Sequence, residues 1–310
     1  MKINLVFGFL GSGKATLITR NLGSQQDLSR TAVIVNEFGD VGIDGSIISG
    51  DNLDIVELNS GCLCCNLKGP MLDAIQELEQ NKQIETLLIE SSGLAEPLDT
   101  LEALTDKKLI NTIEIGPILT VVSLAHFEKL SEFLGDFYID QIHNADALIL
   151  NKSDLSNVDQ IETVRHAVRE LNPKADILIT QQCDLDLTHL FESNQRAHTD
   201  FVTHIDGLKR ATNHTAVHRH SHLDSIVIEN SNLITKTELD NWLTTLANDI
   251  YRVKGYLNLD GQNSLLQYSI DEFNTEAVKK IDKYQMVFIG QTIDRDELKR
   301  QYSNLGTVHK

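Results

Sequence analysis

Residues 3–16 read INLVFGFLGSGKAT, and this stretch decides the fold. Residues 3–7 are an apolar, partly β-branched run of strand length. Gly8-Phe9-Leu10-Gly11-Ser12-Gly13-Lys14 then fits the phosphate-binding loop up to its lysine. In such a loop the glycines let backbone N–H groups turn inward around phosphate oxygens, Lys14 reaches the terminal phosphates, and the helix that follows adds positive potential. A Gly-rich turn alone would mean little; the preceding strand and following helix are what the motif requires. Gly8, Gly11, Ser12, Gly13, Lys14, Ala15 and Thr16 are therefore assigned to the nucleotide, with Lys14 also placed in catalysis.

The next position departs from the pattern. The motif carries Ser or Thr after the lysine, because that hydroxyl coordinates Mg²⁺; this chain has Ala15. Thr16 lies one residue further along a helix, about 100° around its axis, and is a poor substitute. Ala15 predicts weaker Mg²⁺ binding and slower hydrolysis, since the ion neutralises charge on the transferring phosphoryl group.

Working outward, further apolar runs fall at 32–35, 54–58, 86–89, 118–122, 147–150 and 176–179. Helical spacing appears at 70–80, where Met71, Leu72, Ile75 and Leu78 recur behind Pro70, and at 155–171, through Ile161, Val164, Val168 and Leu171. Apolar strands alternating with helices predict an α/β domain of the P-loop NTPase type, its mostly parallel sheet covered on both faces. The run at 54–58 has no clear helix before it, so its direction is left open. After a polar, histidine-rich junction at 204–222, a strand at 224–229 opens a second unit. A helix at 235–248, strands near 251–259, 264–270 and 284–290, and a helix from Asp294 make this a smaller α+β domain. The expected division is 1–205 and 206–310.

Each motif follows a strand run, which brings distant residues to one edge of a parallel sheet. Asn151-Lys152-Ser153-Asp154 follows 147–150; a carboxylate at Asp154 accepts from guanine N1–H and its 2-amino group, a donor pair that adenine lacks. GTP is thus favoured over ATP. Glu90-Ser91-Ser92-Gly93 follows 86–89: Glu90 stands where an acid serves Mg²⁺ or its waters, and the Gly93 N–H could meet a γ-phosphate, making 91–97 a switch. Glu37 and Glu90 are the candidate catalytic bases by position. Cys62-Leu63-Cys64-Cys65 has the spacing of a metal knuckle with a third thiolate, and Glu37 is a candidate oxygen ligand. Soft sulfur selects Zn²⁺ or Cu⁺, with Co²⁺ possible; buried structural thiols or a redox pair are the alternatives. His204, His214, His218, His220 and His222 could collect a metal loosely or simply face water. Cys183 reads as a packed thiol.

Composition narrows the function. The 310 residues carry 27 Lys plus Arg against 45 Asp plus Glu, a net charge of −18, which repels phosphate backbones and anionic lipid and argues against nucleic-acid or membrane partners. No window has 18 successive apolar residues, the N-terminus lacks a signal-peptide pattern, and three of four cysteines are crowded together rather than spread as a disulfide framework; the expected location is cytoplasmic.

GFLGSGK, VNEFGDVGID, GCLCC, ESSGLAEP, NKSD, the histidine-rich junction, RVKG at 252–255 and MVFIG at 286–290 together resemble the CobW-like metallochaperone GTPases, in order and over nearly the whole chain. The resemblance implies an N-terminal GTPase domain, a smaller C-terminal domain, and a transition-metal site at Cys62, Cys64 and Cys65. It also implies that GTP binding and hydrolysis control delivery of Zn²⁺ or Co²⁺ to a client metalloprotein, with a homo-oligomer compatible. Family members carry Thr where this chain has Ala15. Two rivals follow from the residues: a nucleotide-dependent metal buffer with little turnover, and a phosphate-loop kinase of a small molecule, against which NKSD and the lack of a basic lid argue.

Overall fold

The computed structural model describes residues 1–24, 27–38, 53–60, 68–81, 83–91, 93, 100–101, 103–109, 112–187, 190–191, 196–197, 223–246, 250–269, 272–281, 283–291 and 293–306. These fall into two compact units, one N-terminal to residue 221 and one C-terminal to it. The expected boundary at 205/206 lies outside the described residues, as does the histidine-rich junction.

The first unit is built on β1 (Lys2–Phe7), β2 (Thr31–Phe38), β3 (Asp54–Ser60), β4 (Thr86–Glu90), β5 (Glu114–Ser123), β6 (Ala147–Asn151) and β7 (Asp176–Ile179). They lie in the order β3-β2-β4-β1-β5-β6-β7. All six neighbouring pairs run parallel; a two-residue strand, β8 (Arg196–Ala197), pairs antiparallel with β5. The direction of β3 is thereby decided: Ala32 faces Asp54 and Phe38 faces Ser60 in parallel register. The intervening residues 39–53 suffice for a parallel return, which takes about a dozen residues or more.

Both sheet faces are buried, and the strand sequences show why. Along β1, Ile3, Leu5 and Phe7 enter one core while Val6 enters the other. β2 divides the same way, Ala32 and Ile34 against Val33 and Val35. Successive side chains of a strand alternate faces, so a strand sandwiched between helix layers must be apolar throughout. Helix α1 (Lys14–Gly23) covers one face with Leu17, Ile18 and Leu22, and α2 (Lys68–Gln80) covers the other with Met71, Leu72, Ile75 and Leu78. Burying each such side chain contributes about 1.5–3 kcal/mol. Among the described residues three more helices, α3 (Phe127–Leu134), α4 (Asp136–His143) and α5 (Val158–Leu171), add to the unit, the last capped by Asn157, whose side chain accepts from the Gln160 N–H. Gly135, at φ +52°, separates α3 from α4 and breaks what would otherwise be one helix.

The second unit is a five-stranded antiparallel sheet in the order β13-β12-β11-β14-β9. Its strands are β9 (Leu223–Glu229), β11 (Ile250–Leu259), β12 (Gln262–Ser269), β13 (Glu272–Ala277) and β14 (Gln285–Gln291), with the short β10 (Leu233–Ile234) parallel to β11. Asp260 and Gly261, both at positive φ, make the two-residue turn between β11 and β12. Helix α6 (Lys236–Thr245) starts at a capping box in which Thr235 and Glu238 satisfy each other's backbone N–H groups. Helix α7 (Arg295–Asn304) is capped by Asp294. Trp242, Phe288 and Tyr302 meet with ring centroids 5.3–5.9 Å apart and anchor both helices to the sheet.

Candidate functional site

The strand order places a topological switch between β1 and β5. The chain leaves β1 toward β2 on one side, whereas β5 leads to β6 and β7 on the other. In open α/β sheets ligands bind at the carboxyl ends of strands beside such a switch. The phosphate loop leaves β1 there, and NKSD leaves β6 two strands away.

Gly8, Gly11 and Gly13 all have positive φ, a conformation that L side chains resist. At Gly13 space excludes a side chain as well: a Cβ would stand 2.4 Å from Asn151 Nδ2. Helix α1 opens at Lys14 with Gly13 as its N-cap, so the N–H groups of its first turn face the loop. Lys14 is 6% exposed, its Nζ donating to the Phe9 carbonyl at 3.4 Å, and it lies over the loop that it would serve. Ala15 is half-buried in the first turn of α1, and the Thr16 side chain is exposed. The residues here fit nucleotide phosphates; position 15 offers no oxygen to Mg²⁺, so the hydroxyl ligand of that ion is missing from this loop.

Asn151, 3% exposed, joins three parts of the site. Its Nδ2 donates to the Ser12 carbonyl at 2.9 Å, and its Oδ1 accepts from the Cys183 N–H at 2.9 Å. Lys152 follows in a left-handed conformation (φ +65°), and Asp154 stands exposed in the single 3-10 turn Ser153–Leu155. The Ser153 N–H donates to the Thr180 carbonyl at 3.2 Å, fastening this corner to the loop after β7. In that loop Gln182 and Cys183 are both left-handed, and Arg20 of α1 pairs with the exposed Asp184 at 3.1 Å.

The structure also brings the ESSG segment against the phosphate loop. Glu90 ends β4, buried beside Val6 in register, and the Ser91 N–H donates to the Val6 carbonyl. Gly93 lies on Leu10, where a Cβ would come within 2.7 Å of the Leu10 nitrogen, so the close approach requires glycine. Gly8, Gly11, Ser12, Gly13, Lys14, Glu90, Gly93, Asn151, Lys152 and Asp154 thus share one sheet edge. Cys62, Cys64 and Cys65 lie outside the described residues, and of Glu37 only the backbone, paired with Asn59 near the end of β2, is described.

The loop at 180–184 escaped the sequence reading. Cys183 is the packed thiol expected, wholly buried, and burial pushes it up to about 12. Its backbone, however, joins the site through Asn151. The signal was available, because 176–179 is a strand run like those preceding every other motif.

The family described as CobW/HypB/UreG, nucleotide-binding domain, matches residues 2–179. The chain belongs to this family. In this CobW/HypB/UreG member, residues 223–305 further match the cobalamin synthesis protein cobW C-terminal domain. Among relatives, it is 28% identical to zinc chaperone YjiA of Escherichia coli, covering 98% of each chain, and 29% identical to zinc chaperone CobW of Pseudomonas aeruginosa, covering 97% of this chain and 90% of that one. Among solved structures, it is similar to Zn(II)-bound YjiA GTPase from E. coli, with 20% identity, 98% coverage of each chain and a TM-score of 0.46.

Proposed function

We propose that this CobW/HypB/UreG member is a GTP-binding, slowly GTP-hydrolysing metallochaperone. It takes up Zn²⁺, or Co²⁺, at Cys62, Cys64 and Cys65 with Glu37, and delivers the ion to a client metalloprotein under GTP control. The observation that carries the nucleotide half is the Asn151 clamp, which holds the phosphate loop and NKSD as two ends of one site. Lys14 meets the terminal phosphates, the α1 N-terminus adds its dipole, and Asp154 accepts from the guanine edge. The names of the relatives, zinc chaperones among them, support the metal half. Residues 36–44 and 91–97 are proposed to rearrange with the γ-phosphate; the close approach of Gly93 to Leu10 supports that reading for the second segment.

Metal and nucleotide couple only if the metal binds the GTP and GDP states differently. Position 15 favours a second reading, a nucleotide-dependent metal buffer that turns over little. The remaining parts of the proposal are a division at 205/206, a cytoplasmic location and no nucleic-acid or membrane partner; among the described residues no helix is long and apolar enough to cross a membrane. The test is phosphate release from GTP by the purified chain with excess Mg²⁺, with and without one equivalent of Zn²⁺. Acceleration by zinc supports coupled sites. Turnover absent in both conditions, together with equal zinc affinity in GTP and GDP, refutes GTP-gated delivery.

A further inference from the structure

We infer that Cys183 is a positioning residue for nucleotide retention, its thiol fastening the loop after β7 to the phosphate loop at Gly13. The inference rests on the nucleotide reading above and adds to it a specific holding device. Three observations carry it. The Cys183 Sγ lies 3.4 Å from the Gly13 carbonyl oxygen, within reach of an S–H donor, although 170 residues separate them in sequence. The Cys183 N–H donates to the Asn151 side chain, which itself holds Ser12. The side chain is wholly buried in the core that contains Leu17, Ile18 and Leu22 of α1.

Gly13 is the residue whose peptide matters most for a phosphate. Its carbonyl accepts from the Leu17 N–H at 2.9 Å, closing the first turn of α1, and the thiol is a second donor to the same oxygen. In a trans peptide the C=O of Gly13 and the N–H of Lys14 point in opposite directions. Fixing the carbonyl against α1 and Cys183 therefore aims the Lys14 N–H into the loop. Gln182 and Cys183 adopt successive left-handed conformations, φ +51° and +54°, which non-glycine residues keep only where surrounding contacts demand it. Here they are the central pair of a tight turn closed by the Asp184 N–H donating to the Gln181 carbonyl at 3.0 Å, and the Cys183 contacts to Asn151 and Gly13 seat that turn against the phosphate loop. Burial keeps the thiol protonated, and so a donor, well above neutral pH.

Release of a fluorescent GDP, N-methylanthraniloyl-GDP, from the full-length chain tests this, with thermal melts of each variant alongside. Cys183→Ala removes the donor and is expected to speed release about threefold, the lower part of the range for a hydrogen bond because an S–H is a weak donor. Cys183→Ser keeps a donor and is expected to return release to within about twofold of the parent. Release from Cys183→Ala at the parent rate, or equally fast release from both variants, overturns the inference while leaving the nucleotide reading intact. A parent chain that binds no GDP overturns both. A second measurement does not depend on the folding of Cys183→Ala: in a chain with Cys62, Cys64 and Cys65 replaced by serine, GDP should slow thiol labelling of Cys183 several-fold. Labelling indifferent to GDP counts against the clamp.

Discussion

Replacing Asn151 by alanine removes both arms of the clamp at once. The bonds lost are the 2.9 Å donation to the Ser12 carbonyl and the 2.9 Å acceptance from the Cys183 N–H. Both partners are buried, Ser12 at 1% exposure and Cys183 at 0%. Stripping a buried partner costs about 1–3 kcal/mol each, so the pair predicts about 2–6 kcal/mol, the lower half applying where water enters the truncated site. For a domain of this size each kcal/mol moves Tm by about 2–4 °C, giving a fall of about 4–24 °C in the first unit. GTP affinity should fall at least about tenfold, because the phosphate and base loops lose their common anchor. Asn151→Asp sharpens the argument. It keeps an acceptor for the Cys183 N–H but sets a carboxylate against the Ser12 carbonyl, and is expected to bind GTP less well than Asn151→Ala. Thermal melting and GTP titration read both effects; a Tm within about 1 °C of the parent for Asn151→Ala would refute the clamp as an energetic link.

Further outcomes follow from other parts of the molecule. Asp154→Asn, which turns an acceptor into a donor against guanine, should weaken GTP at least about a hundredfold and shift preference to xanthosine triphosphate; unchanged selectivity in competition binding would remove Asp154 from the base site. Ala15→Thr should raise GTP turnover at least about tenfold in Mg²⁺, and an unchanged phosphate-release rate would detach slow turnover from position 15. Cys64→Ser should weaken Zn²⁺ at least about tenfold by chelator competition, and equal affinity would exclude that thiolate as a ligand. The Cys183 thiol, raised to about 12 by burial from an ordinary 9.0, is neutral in the fold where the unfolded chain has already ionised. Its stability contribution is full below pH 9 and lost as pH climbs toward 12, so the parent should lose Tm more steeply than Cys183→Ala over that range; parallel profiles would contradict the shift.

The second unit shows where local reading reaches its limit. Strands β9, β11, β12 and β14 were legible because their apolar residues alternate over enough positions to fill one face. The edge strand β13, EFNTEA, was not: its Phe273 is exposed, with the Lys236 ammonium 4.8 Å from its ring centroid, so burial leaves little mark on its composition. β10, two residues long, has no period to read. The helix expected over 235–248 reaches Thr245 among the described residues, where Leu246 leaves helical geometry.

Read alone, the chain determined what depends on neighbours in sequence. The glycine spacing before Lys14 dictates a phosphate loop, the all-apolar strands dictate a sheet covered on both faces, and the Thr235-x-x-Glu238 and Asp294 caps dictate where two helices begin. Missing oxygen at Ala15 is likewise a fact of composition. Tertiary structure decided what depends on residues far apart in the chain: the parallel direction of β3, the order that puts β1 and β5 at the switch, and the meeting of Ser12, Asn151 and Cys183 across separations of 139 and 32 residues. The reason is physical. Backbone geometry and capping are settled within a turn or two by sterics and local hydrogen bonds, whereas the clamp exists only once sheet order has brought three strand ends together, and no pattern within any one of those segments encodes its partners.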